Sequence, residues 1–527
     1  MKRFWWILSL VLLLVVTVPN AWADDGPMYV VGNGATVRPM NNTAVRMAAE
    51  TVQAICYQRF AEYKIDFLFE NSTLATESVL LGFPFDAPYY QGPYTDGDRY
   101  IAPAGFHAWE DGQPLAVKLV HSHTDADGDV DYYTHRAVFP PGDTTVTVSY
   151  LISPAYWYDE TISDERSEYA DAVKQSLVVP NAYRRQPSGR AAYDYTLHTG
   201  GYWHGTIGTA VFRWTLSPDF IGWGPVEASK MEGAEDSTEI DPDTDEPDPS
   251  GVLQGMIESA ITTPTPGAYQ WVFRDFKPTY DEDGGPSPYD FSFDFFAPQP
   301  TAARHTADLR LALSVHASDS FSSGPYSYPA KNLVDGDPST AWATAKNSGV
   351  GQWVDVTFPA ERTVRELRVL PGYAKRPELF RKYDRPKRLR ISYSDGSSQV
   401  VTLADDPSLQ RFPADTTAKS ARVTILDVYR GTVSNEAYLS EVEFGTAPAP
   451  TFDDPAAVLA SARGERSADA SPTTPGQAAA PATDQTTRTA EATSASPDPT
   501  SAPLSRPMLL LFAATLIGVS VVLWRQA

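Results

Sequence analysis

Apolar residues recur at every second position through much of the chain. Tyr63, Ile65, Phe67 and Phe69 alternate with Lys64, Asp66 and Glu70. Val146, Val148 and Tyr150 alternate with Thr145, Thr147 and Ser149, and Leu389, Ile391 and Tyr393 alternate with Arg388, Arg390 and Ser392. Successive side chains of a strand point to opposite faces, so a period of two with one apolar side marks strands buried on that side only. Gly, Pro, Asn and Asp punctuate these runs at short intervals, as between the strands of sandwiches. The chain is expected to be all-β, with two β-sandwich-type domains. A helical stripe is predicted only over residues 164–176, where Tyr169, Ala172 and Val173 share one face with Leu177 just beyond.

Two segments depart from alternation by being apolar throughout. Lys2 and Arg3 precede the apolar run from Phe4 to Val18, and Ala21 and Ala23 occupy the two positions that a signal peptidase reads. Residues 1–23 therefore read as a secretory signal peptide. Residues 508–524 carry no charge, and Arg525 follows at once. At ~1.5 Å per residue this run spans roughly 26 Å, enough for a bilayer core. A transmembrane helix is expected over 507–524, with Arg525 on the cytoplasmic side. The implied location is the cell membrane, single-pass, with the bulk of the chain extracellular.

Composition divides the rest. Residues 24–300 are rich in aromatics and turn formers and read as a β-rich extracellular domain. Within them, Glu232 to Asp248 holds nine acidic residues and no Lys or Arg, which predicts a disordered acidic loop over 232–250. Residues 306–445 are more regular and carry most of the basic clusters. Residues 446–505 are Ala, Thr, Ser, Pro and Asp with few large apolar side chains, the composition of a disordered stalk. The one cysteine, Cys56, rules out an intrachain disulfide and reads as a buried, inert thiol. A formal net charge of −24 disfavours nucleic acid and anionic lipid as partners.

Candidate chemistry concentrates in the third region. Asp335-Gly336-Asp337-Pro338 is a turn, and Thr340 adds a hydroxyl to its carboxylates. Such an oxygen cluster suits a hard cation like Ca²⁺, or it simply caps the turn. Trp342 follows, as a core residue or as an edge for a ligand. This run resembles the discoidin or galactose-binding-like superfamily, in particular the NADase-type glycan-binding domain. Three later stretches carry the same resemblance: Gly372, Tyr373 and Lys375 before Tyr383-Asp384-Arg385-Pro386-Lys387; Asp427, Tyr429 and Gly431; and Tyr438, Ser440, Glu441, Glu443 and Phe444. Together they span about residues 310–445, a quarter of the chain. Asp384 stands where the subgroup usually shows Asn.

The resemblance implies a jelly roll of about eight strands with its ligand loops at one end. It also implies a structural Ca²⁺ held by Asp335, Asp337, Thr340 and Glu441. A pyranose offers an apolar face for stacking and hydroxyls for hydrogen bonding. Tyr373, Tyr429 and Trp342 are the candidate platforms, and Lys375, Arg385, Lys387 and Asp427 the candidate polar partners. For each there is a plainer role in packing or in solvating a strand end. A basic cluster on so acidic a chain hints at an acidic glycan.

The N-terminal region says less. Val45, Met47 and Glu50, followed later by Phe83-Pro84, resemble the start of an uncharacterised bacterial extracellular domain, a resemblance that carries no activity. The chain has no H-E-x-x-H, G-x-S-x-G or G-x-x-x-x-G-K motif. His121 and His123 have zinc-compatible spacing and run into Asp125, Asp127, Asp129 and Asp131. That run lacks the closing Glu of an EF-hand and reads as a solvated hairpin tip. With 66 acidic residues, paired carboxylates are inevitable and decide nothing about glycoside hydrolysis. The expected function is that of a membrane-anchored extracellular glycan-binding protein without catalysis. A tethered polysaccharide hydrolase and a structural envelope protein with a protein partner remain open alternatives.

Overall fold

The computed structural model describes residues 26–31, 36–39, 42, 44–86, 103–124, 128–157, 189–195, 198–220, 263–277, 291–297, 314–324, 326–345 and 349–464. The segments expected to be a signal peptide (1–23), a transmembrane helix (507–524), an acidic loop (232–250) and a helical stripe (164–176), and Asp125 and Asp127, lie outside them. Among the described residues no helix is long and apolar enough to cross a membrane.

The alternating runs become strands whose apolar faces coincide. Tyr63, Ile65, Phe67 and Phe69 are fully buried on strand Ala61–Asn71, and Val146, Val148 and Tyr150 of Gly142–Ile152 sit directly opposite Phe67, Ile65 and Tyr63. Seven strands form one sheet in the order Ala268–Phe276, Ile207–Leu216, Val45–Cys56, Ala61–Asn71, Gly142–Ile152, Ala104–Glu110, Gln113–Pro114. Its Ile207–Leu216 and Val45–Cys56 strands run parallel. A five-stranded and a three-stranded sheet close the same core, contributing Leu81, Phe83, Tyr133 and Phe139 from one and Tyr193, Tyr195 and Phe293 from the other. His121 and His123 fall on strand Lys118–Thr124, the first arm of a hairpin with Gly128–Phe139. Cys56 is buried at the end of its strand, and burial pushes its thiol well above the usual range.

The C-terminal body is a single antiparallel network: Trp342–Ala343, Tyr438–Gly445, Trp353–Pro371, Gln410–Tyr429, Arg385–Tyr393 and Ser398–Thr402, with Ser314–Ala317 added to one half of Trp353–Pro371. Among the described residues this network has seven strands, and Phe321–Ser323 pairs with Tyr326–Tyr328 beside it. Two of the seven are very long, at 19 and 20 residues. Their pairing slips between Thr357 and Arg362 and again between Val364 and Glu366. These irregularities let the two halves of Trp353–Pro371 take different neighbours, Ser314–Ala317 first and Tyr438–Gly445 later. The sheet thereby folds around one core containing Trp342, Val354, Leu367, Leu389, Ile391, Val423 and Phe444.

The described residues of the two β bodies fall within one compact unit. The tip between strands Val45–Cys56 and Ala61–Asn71, Tyr57 to Phe60, is driven into the C-terminal body. Tyr57 lies under the guanidiniums of Arg368 and Arg411, 5.0 and 5.4 Å from its ring centre. The Gln58 amide donates to Glu443 at 3.2 Å. Phe60 packs in one apolar cluster with Leu370, Ala374 and Leu409. Behind the tip, Arg368 is 0% exposed and donates to Glu366 at 2.6 Å, Glu443 at 3.1 Å and Asp219 at 3.3 Å. Burial opposes its charge, but these three carboxylates outweigh that and hold the guanidinium firmly protonated.

The reading of 446–505 as a stalk needs correction at its start. Residues 446–454 follow the junction without regular secondary structure, and Pro455–Arg463 is a helix capped by Asp454. Thr446 donates to Asp219, Ala449 to Glu366 at 3.1 Å, and Asp453 exchanges two 2.9 Å hydrogen bonds with Gln53. The Ala447 and Pro450 carbonyls accept from Arg368 and Arg411. Composition suggested disorder because apolar side chains are few. This segment is instead fastened by hydrogen bonds to buried charges, with Phe452 and Val458 as its apolar anchors.

Candidate functional site

Four chain segments converge at one end of the C-terminal body. The hairpin of Phe321–Ser323 and Tyr326–Tyr328 supplies Phe321 and Tyr328. The turn after Trp353–Pro371 supplies Tyr373, the residue after helix Pro377–Lys382 is Tyr383, and the last strand opens with Tyr438. Their rings form one group over a floor of Ala341 and Ala343. Tyr373 stacks on Tyr438 at 5.3 Å and 8°, Tyr383 stacks on Tyr438 at 4.3 Å, and Tyr328 meets both Tyr373 and Tyr438 edge-on. Tyr438 is buried, whereas Phe321, Tyr328, Tyr373 and Tyr383 are half-buried and Tyr326 is 65% exposed. Burial, and then the neighbouring phenols, push the Tyr373 and Tyr438 hydroxyls above their usual range, so they act as neutral hydrogen-bonding groups.

The backbone around this group is held closely. Gly372 has a φ of +72°, and a methyl group there would fall 2.5 Å from the Phe380 ring. Asp384 is buried, with its carboxylate accepting from the Gly431 amide and from Arg430, each at 2.7 Å. An Asn at this position would lack the charge that pairs with Arg430. The 372–375 turn is also fixed from behind: the Ala374 carbonyl accepts from the Gly105 amide at 2.8 Å, and the Lys375 carbonyl from the Tyr133 hydroxyl at 3.1 Å. The N-terminal body thus positions the loop that carries Tyr373.

The candidate residues read from the sequence separate into several places. Tyr373 belongs to the aromatic group. Arg385, Lys387, Asp427 and Tyr429 come together elsewhere, on the paired strands Arg385–Tyr393 and Gln410–Tyr429, where Arg385 lies opposite Tyr429. Phe380 sits between the two, touching Gly372 and lying 5.0 Å under the Arg385 guanidinium. In the second cluster the polar groups are already engaged. Arg385 is buried, paired with Asp405 and donating to the Tyr383 and Arg430 carbonyls. The Tyr429 hydroxyl donates to the Leu403 carbonyl, and Asp427 lies 3.9 Å from Lys387 and 3.6 Å from Arg388. Two placements need correction. Trp342 is fully buried in the core and spends its indole N–H on the Asp319 carbonyl, so it offers no face to a ligand. Lys375 lies at the junction with the N-terminal body, where burial lowers the affinity of its amine for a proton and Asp337 opposes that shift. Phe321, Tyr326 and Tyr328 were missed. Their signal was present, three aromatics within eight residues among Ser, Gly and Pro, but no strand alternation drew attention to them.

The oxygen-bearing side chains of Asp335, Thr340 and Glu441 lie together, and the Asp337 carboxylate lies apart from them. Thr340 Oγ1 lies 3.2 Å from both Asp335 carboxylate oxygens, and Glu441, 1% exposed, is hydrogen-bonded to Asp335. Glu441 Oε1 meets no donor. Burial, and then Asp335 beside it, push the Glu441 carboxyl well above the usual range. The Asp337 carboxylate turns away to cap Ser339, leaving its carbonyl near Thr340. Asp335, Thr340, Glu441 and the Asp337 carbonyl are hard oxygen donors with one buried atom unpartnered, which fits Ca²⁺. The carboxylate of Asp337 does not join them. Among the described residues no group of three or more His, Cys, Asp and Glu side chains forms a metal site.

The family model of the NAD glycohydrolase translocation F5/8 type C domain matches residues 310–445. This part of the chain is a discoidin-like domain. No curated protein matches the chain. Among solved structures, a nutrient-binding protein from Legionella pneumophila is 14% identical over 53% of this chain and 71% of its own, with a TM-score of 0.31. The family 32 carbohydrate-binding module of NanJ from C. perfringens, in complex with galactose, is 17% identical over 25% of this chain and 90% of its own, with a TM-score of 0.20. A family 32 module from Clostridium perfringens in complex with GalNAc-β-1,3-galactose is 18% identical, covering 25% of this chain and 92% of its own, at a TM-score of 0.20.

Proposed function

We propose that the protein binds glycan outside the cell through the aromatic end of its C-terminal domain, tethered to the membrane and without catalysing a reaction. One observation carries this reading: rings from four segments gather at the loop end, graded from buried Tyr438 to half-buried Phe321, Tyr328, Tyr373 and Tyr383, with Tyr326 exposed on the hairpin that carries Tyr328. Packing alone would bury such rings or spread them. A partly open stack suits the apolar face of a pyranose, and the serine hydroxyls of the 321–328 hairpin suit its rim. Exposed Arg381, and Lys382 5.3 Å over the Tyr383 ring, favour an acidic glycan. Calcium, held by Asp335, Thr340, Glu441 and the Asp337 carbonyl, is proposed as a structural ion that stiffens the 335–340 turn and takes no part in sugar contact.

A glycan array probed with the full-length protein tests the reading, followed by titration of the hits. Tyr383→Ala should weaken binding about three- to tenfold, the worth of one aromatic contact of about 0.5–1.5 kcal/mol, while Tyr429→Ala should leave it nearly unchanged. New reducing ends released from a bound glycan would instead favour a hydrolase.

A further inference from the structure

The two bodies meet at more than one place. At one, Arg59 Nη1 donates to the Val334 carbonyl at 3.1 Å, its stem lying along a track over Gly336. At another, the contact reaches the aromatic end. The turn 372–376 carries Tyr373 and is gripped from both sides. The C-terminal body grips its start through buried Ser440, whose hydroxyl donates to the Gly372 carbonyl and accepts from the Ala374 amide, each at 3.1 Å. The N-terminal body grips its end. The Gly105 amide and the Tyr133 hydroxyl donate to the Ala374 and Lys375 carbonyls, and Ala374, 2% exposed, shares one apolar cluster with Phe60, Ala104 and Leu151. Tyr133 is held by its ring, which stacks on Phe106 at 4.4 Å and 12°. Gly105 depends on having no side chain: its φ is +61°, and a methyl group there would fall 2.2 Å from the Pro407 carbonyl oxygen.

We infer that the N-terminal body sets the strength of sugar binding at the aromatic end, with Gly105 and Tyr133 as positioning residues that act on Tyr373 through the 374–375 carbonyls. The inference rests on the reading of that end as a glycan site. A stacked ring keeps its geometry only as well as its backbone does. With the grip in place Tyr373 lies parallel to Tyr438, so a sugar meets a preformed stack. With the grip released, binding must first order the turn, and that cost comes off the affinity. The coupling runs both ways: a closed junction favours the bound sugar, and a bound sugar favours the closed junction. The N-terminal body thereby acts at a site whose rings all belong to the C-terminal body.

The test titrates the strongest hit of a glycan array against full-length wild type, Tyr133→Phe, Gly105→Ala and Gln53→Ala, with melting curves and amide hydrogen exchange alongside. Tyr133→Phe keeps the ring on Phe106 and removes only the hydroxyl. It should bind about three- to tenfold more weakly, the worth of one hydrogen bond, and the amides of 372–376 should exchange faster. Gly105→Ala should weaken binding at least as much; if it does not fold, Tyr133→Phe decides. Gln53→Ala loosens the junction at Asp453 instead, and should lower Tm while leaving binding unchanged. Saturating the wild type with the same glycan should slow exchange of the Gly105 amide, as reciprocity requires. Wild-type affinity in Tyr133→Phe, or an unslowed Gly105 amide, would overturn the inference and leave the glycan site standing. Binding lost equally in Gln53→Ala would also overturn it, since general loosening would then be the cause. No array glycan bound by the wild type would overturn the site and the inference together.

Discussion

At Arg368 a single side chain holds three carboxylates from two bodies, and its removal leaves Glu366 and Glu443 buried without it while Asp219 keeps Arg362 at 3.4 Å. Arg368→Met should therefore cost about 3–5 kcal/mol of unfolding free energy, measured by urea denaturation. His107 offers a weaker and pH-dependent contact. Its Nε2 lies 2.8 Å from Asp406 across the junction. Burial raises the Asp406 carboxyl, but the hydrogen bond and charge of His107 and the bonds from Ser408 outweigh it, leaving it below its ordinary 3.8. A depressed carboxyl stabilises the folded form above its unfolded pKa and loses that contribution as pH falls through the folded value. Acid titration should thus loosen the junction below about pH 4 in wild type and flatten that step in Asp406→Asn. Asp406 is half exposed, so the step should be under about 1 kcal/mol. At this scale the sequence was partly legible. The motif around Asp335 put Thr340 beside it, and only the family resemblance pointed to Glu441. It could not announce that the Asp337 carboxylate caps its own turn, or that Trp342 is sealed inside, because both depend on neighbours far along the chain.

Among the elements, the 57–60 hairpin tip and the 372–376 turn do most to join fold and site. The first is short and looks like any β-turn in sequence, yet each of its four residues finds a partner in the C-terminal body. Gly336→Ala should push Arg59 from its track and strain the turn, lowering Tm by several degrees, while an alanine at Gly396, with open space around it, should cost less. The second turn has two sides, one bearing Tyr373 toward the aromatic group and the other accepting hydrogen bonds from Gly105 and Tyr133. Alternation predicted strands at Ala61–Asn71, Gly142–Ile152 and Arg385–Tyr393, where period two runs through most of each strand. It was silent on the 321–328 hairpin, whose rings pack on other loops rather than on a sheet face.

Across the whole molecule, the described bodies behave as one unit because charge, rather than apolar area alone, joins them. Residues 446–464 cross that junction, and deleting them strips hydrogen bonds from Arg368, Arg411, Asp219 and Gln53. The shortened protein should unfold at lower urea and be cut sooner by protease near Tyr57 to Phe60. Low apolar content hid this segment from sequence reading, since composition reports what a segment can bury and not which buried charges need its carbonyls. The central claim is that the tyrosine-lined loop end holds a saccharide. Its most direct measurement is a titration of the strongest array hit against wild type, Tyr326→Ala and Tyr383→Ala, with each variant's melting curve taken in parallel. The account predicts weaker binding by both variants with unchanged folding. Full-strength binding by both, or no glycan bound by the wild type at all, would contradict it.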